Sequence, residues 1–114
     1  MLPGAAYFHK THFSACAELG FIDQLKAYGK KQIIIVGTEA HVCVLQTCLD
    51  LVQSGFEVII IQDAIGSRNL EHKKLAVEQL RQAGAVISCA EIVIFQWTKQ
   101  AAIPTFKKIL PIIK

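Results

Sequence analysis

Residues 33–44 read Ile-Ile-Ile-Val-Gly-Thr-Glu-Ala-His-Val-Cys-Val. Four consecutive β-branched residues, Ile33 to Val36, with no polar alternation, suit a strand covered on both faces within a parallel sheet. Gly37 closes that strand. Beyond it, Val44, Leu45, Cys48, Leu51 and Val52 form an apolar stripe at helical spacing, on a helix that begins near Ala40 or His41 and is stopped by Gly55. A strand, a short loop and a helix follow one another within some twenty residues, the local signature of an α/β unit.

The same alternation extends in both directions. Upstream, Leu19, Ile22, Leu25 and Tyr28 recur at helical spacing between Ala15 and Tyr28, and Gly29 stands where a left-handed C-terminal cap belongs. Downstream, Val58 to Ile61 is a second buried strand, Ala64 to Asn69 reads as a loop, and Asn69 is placed to cap a helix. Glu71 lies in that helix's first turn, and Ala76, Val77, Leu80 and Ala83 share one face. Gly84 ends it. Ala85 to Cys89 is a short strand, Ala90 to Trp97 is compatible with helix or strand, and Ala101 to Leu110 is expected as a closing helix with Pro104 in its first turn. Helices and strands that alternate with short loops and right-handed crossovers predict an α/β fold, a three-layer Rossmann-like parallel sheet with helices on both faces.

Composition narrows the classes of function. The 114 residues are 53% hydrophobic and 18% charged, which excludes a disordered tail. One domain is expected over residues 1–114, able to bury roughly 60 to 70% of its unfolded surface. Twelve basic and nine acidic residues give a formal charge of +3. The lysines are scattered, with only Lys30–Lys31, Lys73–Lys74 and Lys107–Lys108 adjacent, so no nucleic-acid partner is expected. Apolar runs stop at four residues, far short of the roughly 20 needed to cross a bilayer, so no membrane partner is expected either. The first ten residues lack the basic start and apolar core of a secretory signal, which makes the cytoplasm the expected compartment. Cys16, Cys43, Cys48 and Cys89 form no CxxC pair and point to neither a disulfide scaffold nor a zinc ribbon.

Open parallel sheets place their chemistry in the loops that lead from a strand's carboxyl end into the next helix. Gly37 to Cys43 is such a loop. It sets Cys43 in the first turn of a helix, where unpaired N–H groups and the positive end of the dipole favour a thiolate over a thiol. The same amides are placed to hydrogen-bond the oxyanion formed when sulfur attacks a carbonyl carbon. A small buried cysteine in an apolar stretch is the competing explanation, and it suits Cys16, Cys48 and Cys89. For Cys43, spacing alone leaves both open.

Three further segments carry a resemblance. Lys10-Thr11-His12-Phe13-Ser14 is similar to a K-T-x-F-S segment, Gly37 to Val44 to a G-x-E-x-x-x-C-V nucleophile segment, and Asp63-Ala64-Ile65-Gly66-Ser67-Arg68 to a D-A-x-x-S-R loop. Together they resemble the isochorismatase-like cysteine hydrolases, with Gly84-Ala85 and Glu91 also where that family has them. Cys-Leu-Asp-Leu-Val-Gln-Ser-Gly and the Pro-Thr-Phe-Lys near the end look most like the isochorismatase-domain-containing branch. The likeness runs through the whole chain but corresponds to about the C-terminal 60% of a family domain, so the domain is expected to be truncated at the N-terminus.

The resemblance implies a cysteine, lysine and aspartate triad, in which a thiolate attacks an amide, ester or related carbon of a small-molecule substrate and water releases the covalent intermediate. Cys43 matches the nucleophile and Lys10 the lysine, whose ammonium would stabilise the thiolate and the growing charge. The resemblance also implies a non-proline cis peptide at Thr38–Glu39 and an oxyanion site made by the backbone amides of Glu39 and Cys43. It places the general-base aspartate on an earlier strand that this sequence does not contain. The metal segment of the nicotinamidase branch would lie there too, so no metal site and no cofactor are expected, and His9, His12, His41 and His72 are not assigned as ligands. Asp63 is expected to serve as a loop cap or local ion pair rather than as a substitute base. Glu39 and His41 are given no catalytic side-chain role, and Phe95, Trp97 and Phe106 are expected in the core or in subunit contacts.

A sheet this small leaves the first strand with an open edge unless another chain or a missing segment pairs with it, which predicts either a truncated product or an intimate homo-oligomer. Three functions compete on these residues: a cysteine hydrolase whose carboxylate comes from elsewhere, an inactive family fragment that acts as an oligomerisation module, and a nucleotide-binding half-domain. The last is disfavoured, because Gly37 is followed by Thr, Glu and Ala with no second glycine to let a pyrophosphate approach.

Overall fold

The computed structural model describes residues 6–99. Its elements, in chain order, are α1 (Phe21–Ala27), β1 (Gln32–Thr38), α2 (Leu45–Gln53), β2 (Glu57–Gly66), α3 (Leu70–Gln82), β3 (Val86–Ser88) and α4 (Ala90–Thr98). The strands form one parallel sheet in the order β1-β2-β3, with Ile34 opposite Ile59 and Ile59 opposite Val86. Helices lie on both sides of it, as the alternation of periods requires.

One face carries the core. Ile33 and Ile35 of β1, Val58 and Ile60 of β2 and Ile87 of β3 share a parity and pack with Val44, Cys48 and Leu51 from the Cys43 helix, and with Ala76, Val77 and Leu80 of α3. Leu51, Ile60 and Leu80 are fully enclosed, each contributing about 1.5–3 kcal/mol by leaving water. Helix α4 lies against β2 on the other face, where Ile61 and Val93 are buried.

The structure departs from the sequence expectations at four places. The helix expected over Ala15 to Tyr28 is a 3₁₀ turn at Ala15–Ala17 followed by α1, because Gly20 takes φ +84°, a left-handed conformation that no α-helix continues through. Leu19 is consequently exposed. Strand β1 is not covered on both faces: Ile34 and Val36 are exposed, since α4 packs on β2 and leaves the edge strand's second face open. Strand β2 runs on to Gly66, so Ala64 to Gly66 are extended rather than looped, held by pairing of Ile65 with Gly37 and of Gly66 with Thr38. Trp97, assigned to the core or a subunit contact, is exposed within the chain, whereas Phe95 is half-buried. The ambiguous segment after Cys89 is helix α4. The closing helix expected at 101–110, with Pro104 and Phe106, lies outside the described residues.

Candidate active site

Cys43 sits on a π-helical turn, Ala40–Val44, that runs directly into α2. The Val44 N–H donates to the Glu39 carbonyl at 3.1 Å, an i to i−5 bond that widens the first turn. Just before it, Gly37 takes φ +130° at an irregularity in the pairing of β1 with β2, and the Thr38–Glu39 peptide is cis. The nucleophile candidate therefore stands where the chain leaves the sheet and turns into a helix.

Lys10 reaches it from 33 residues away in sequence. Its ammonium donates to the carbonyls of His12 (2.7 Å) and Phe13 (3.1 Å) and to Cys43 Sγ (3.4 Å). Those are three acceptors for three N–H groups, which fixes a side chain that is otherwise flexible. The Lys10 ammonium is thereby held against the Cys43 sulfur.

The segment that carries Lys10 is docked by its own polar groups. The Glu18 carboxylate accepts the N–H of Thr11 and of His12, both at 2.9 Å, and pairs with His12 Nδ1 at 2.7 Å. These bonds, the His12 amide first, hold Glu18 well below the usual carboxyl range, at about 2. The buried Ser14 hydroxyl donates to Asp50 Oδ2 at 2.6 Å, and Thr47 Oγ1 accepts the Ala15 N–H at 3.0 Å. Cys43, Thr47 and Asp50 stand at i, i+4 and i+7, so one helix face holds both the thiol and the anchors for the segment opposite it. The spacing of Thr47 and Asp50 from Cys43 is the signal in the sequence that marks this face.

Two of the other cysteines, Cys16 and Cys48, lie in surroundings that disfavour a thiolate. Burial pushes the Cys16 thiol up, and pushes Cys48 up to about 12, so both stay protonated at neutral pH. Asp63 Oδ1 accepts the Ala90 N–H at 3.0 Å and so caps α4. That bond gives the Asp63 carboxylate a structural role. His41, given no catalytic role from sequence, is half-buried and hydrogen-bonded through Nδ1 to the Ser67 hydroxyl at 2.9 Å. Among the described residues no group of three or more His, Cys, Asp and Glu side chains could hold a metal ion. None of the described helices is long and apolar enough to cross a membrane.

The isochorismatase domain family matches residues 1–92. The chain belongs to the isochorismatase family. It is 43% identical over 109 residues to isochorismatase family protein 1B of Dictyostelium discoideum, covering 94% of this chain and 52% of that one. Among solved structures, MAR1 ribonuclease of Caenorhabditis elegans matches with a TM-score of 0.80 and 38% identity over 91% of this chain and 53% of its own. An Escherichia coli protein described as an octameric hydrolase of unknown specificity matches with a TM-score of 0.75 and 28% identity, over 90% of this chain and 57% of its own. This isochorismatase-family chain thus spans about half the length of such relatives.

Proposed function

We propose that this chain carries the nucleophile side of a hydrolase for a small carbonyl compound, an amide, ester or related molecule. Cys43 Sγ adds to the carbonyl carbon, and the C=O electron pair moves to oxygen, where the amides of Glu39 and Cys43 receive it. Collapse of that adduct breaks the bond to the amine or alcohol, which leaves with the proton that an external carboxylate has taken from the thiol, and water, giving a proton to that carboxylate, then cleaves the thioester to the acid and the free thiol. The Lys10 ammonium lies against the sulfur as the proton leaves and the new bond forms. The base that activates water is a carboxylate from another polypeptide or from a longer form of the protein. The observation that carries this reading is the 3.4 Å contact between Lys10 Nζ and Cys43 Sγ.

The test needs no substrate. Iodoacetamide alkylation of the native protein, mapped by peptide mass across pH 5 to 9, should modify Cys43 first, and Lys10→Ala should slow it about tenfold, the loss of roughly 1.4 kcal/mol of charge-assisted bonding. Four cysteines that react alike, or a Cys43 indifferent to Lys10, would remove the hydrolase reading. Because the nematode protein bears the name of a ribonuclease, an RNA strand belongs beside the ester and amide substrates tried next.

A second reading rests on the exposed Ile34 and Val36 of the open edge strand: association with further copies of this chain. Assembly and hydrolysis are compatible, since an assembled neighbour is one source of the carboxylate.

A further inference from the structure

The loop before Cys43 is tied to the loop after β2 by contacts the mechanism above does not use. His41 Nδ1 bonds the Ser67 hydroxyl at 2.9 Å and lies 3.6 Å from Glu39 Oε2. Glu39 Oε2 in turn accepts the Arg68 backbone N–H at 3.5 Å and lies 3.8 Å from the Arg68 guanidinium nitrogen Nε. The His41 ring also rests against that of His72, centroids 4.8 Å apart, in the first turn of α3. Serine, histidine and glutamate suggest a relay, but the geometry refuses one: Ser67 and Glu39 both approach the same ring nitrogen, whereas a relay needs the hydroxyl on one nitrogen and the acid on the other. The arrangement is a brace. Arg68 is 84% exposed at its side chain, so its ion pair adds little, while the His41 side chain is 20% exposed and its bond to Ser67 is sheltered.

We propose that His41, through Ser67 and Glu39, is a positioning residue that holds the backbone of residues 39–43 in register for an oxyanion at Cys43. This rests on the reading of Cys43 as the nucleophile. Residue 39 supplies one of the two amides, and its own side chain and that of residue 41 are the ones anchored to the neighbouring loop. Thr38 and Gly66, paired in the sheet, set the two loops side by side so that the brace can span them.

Two electrophiles separate positioning from general reactivity. Iodoacetamide takes the sulfur by displacement of iodide at a saturated carbon and develops no oxyanion. With p-nitrophenyl acetate, Sγ bonds the carbonyl carbon, the electron pair passes through the oxyanion, and p-nitrophenolate leaves as the thioester forms. For the full chain, His41→Ala and Ser67→Ala should slow the p-nitrophenolate burst at least about tenfold while changing Cys43 alkylation by less than about twofold. His41→Asn, whose amide can still meet the Ser67 hydroxyl, should recover most of the burst. Equal loss in both reactions, loss in neither, or no recovery in His41→Asn overturns the brace. If His41→Ala does not fold, as judged by circular dichroism, the Ser67→Ala and His41→Asn pair decides alone. A wild-type Cys43 that reacts with neither probe fails the nucleophile reading itself, and that outcome is told apart because it precedes any substitution.

Discussion

Ser14→Ala should loosen the fold and the site together. The Ser14 hydroxyl is buried and donates to a carboxylate, Asp50 Oδ2, at 2.6 Å, and it also accepts the Cys16 N–H at 3.2 Å. A hydrogen bond to a charged group is worth about 1.5–3 kcal/mol, and since Asp50 is half-buried and water can replace part of the bond, the lower end, about 1.5 kcal/mol, applies. At about 4–8 °C per kcal/mol for a domain of this size, Tm should fall by roughly 6–12 °C. Lys10 lies four residues upstream on the same docked segment, so its hold on Cys43 should weaken too. Thermal melts by circular dichroism read the first effect, and iodoacetamide kinetics at Cys43 read the second. Asp50→Asn, which keeps an acceptor for the hydroxyl, should cost less than Ser14→Ala. A Tm within about 2 °C of the parent would refute the energetic argument. A large fall in Tm with unchanged Cys43 kinetics would refute the mechanical one, that this strut holds Lys10 in place.

Glu18 titrates near 2 in the folded chain, below its ordinary 4.5, so the stability it lends is present above about pH 4.5 and is lost as pH falls towards 2. The Thr11 and His12 amide resonances should follow that low midpoint in an NMR titration, and a midpoint at 4.5 would contradict it. Asp63→Ala should cost about 1 kcal/mol, a lost helix cap, and leave Cys43 alkylation intact; slowed alkylation would return Asp63 to the chemistry. Val36→Lys, on the exposed face of the edge strand, should shift sedimentation towards the monomer, and an unchanged mass distribution would take self-association away from that edge.

Much of the fold was legible from local patterns. The β-branched runs at 33–36 and 58–61, the Asn69 cap, whose Oδ1 accepts the N–H of Glu71 and His72, and the Cys43 junction between strand and helix all depend on residues within one or two turns of each other. The helix expected over Ala15 to Tyr28 breaks at Gly20 because an apolar stripe at helical spacing continues through that residue while its left-handed backbone does not. The continuation of β2 to Gly66 was missed because it is held by pairing with β1, which no local run of residues displays.

The sequence by itself determined the alternation of strands and helices, the place of Cys43 at the end of a strand, and, through its motifs, the family. Those properties follow from side-chain period and capping, which act over three or four residues. The motifs implied that Lys10 serves Cys43, and the tertiary structure gives that pairing its geometry; tertiary structure alone decided that Ser14 anchors on Asp50, that Asp63 caps α4, that His41 reaches Ser67, and which sheet face stays open. Each of these contacts joins residues 26 to 36 apart, so it exists only after two elements have chosen their face and register on the sheet. Burial of the common core makes that choice, and the polar contacts of the site are what it brings within reach.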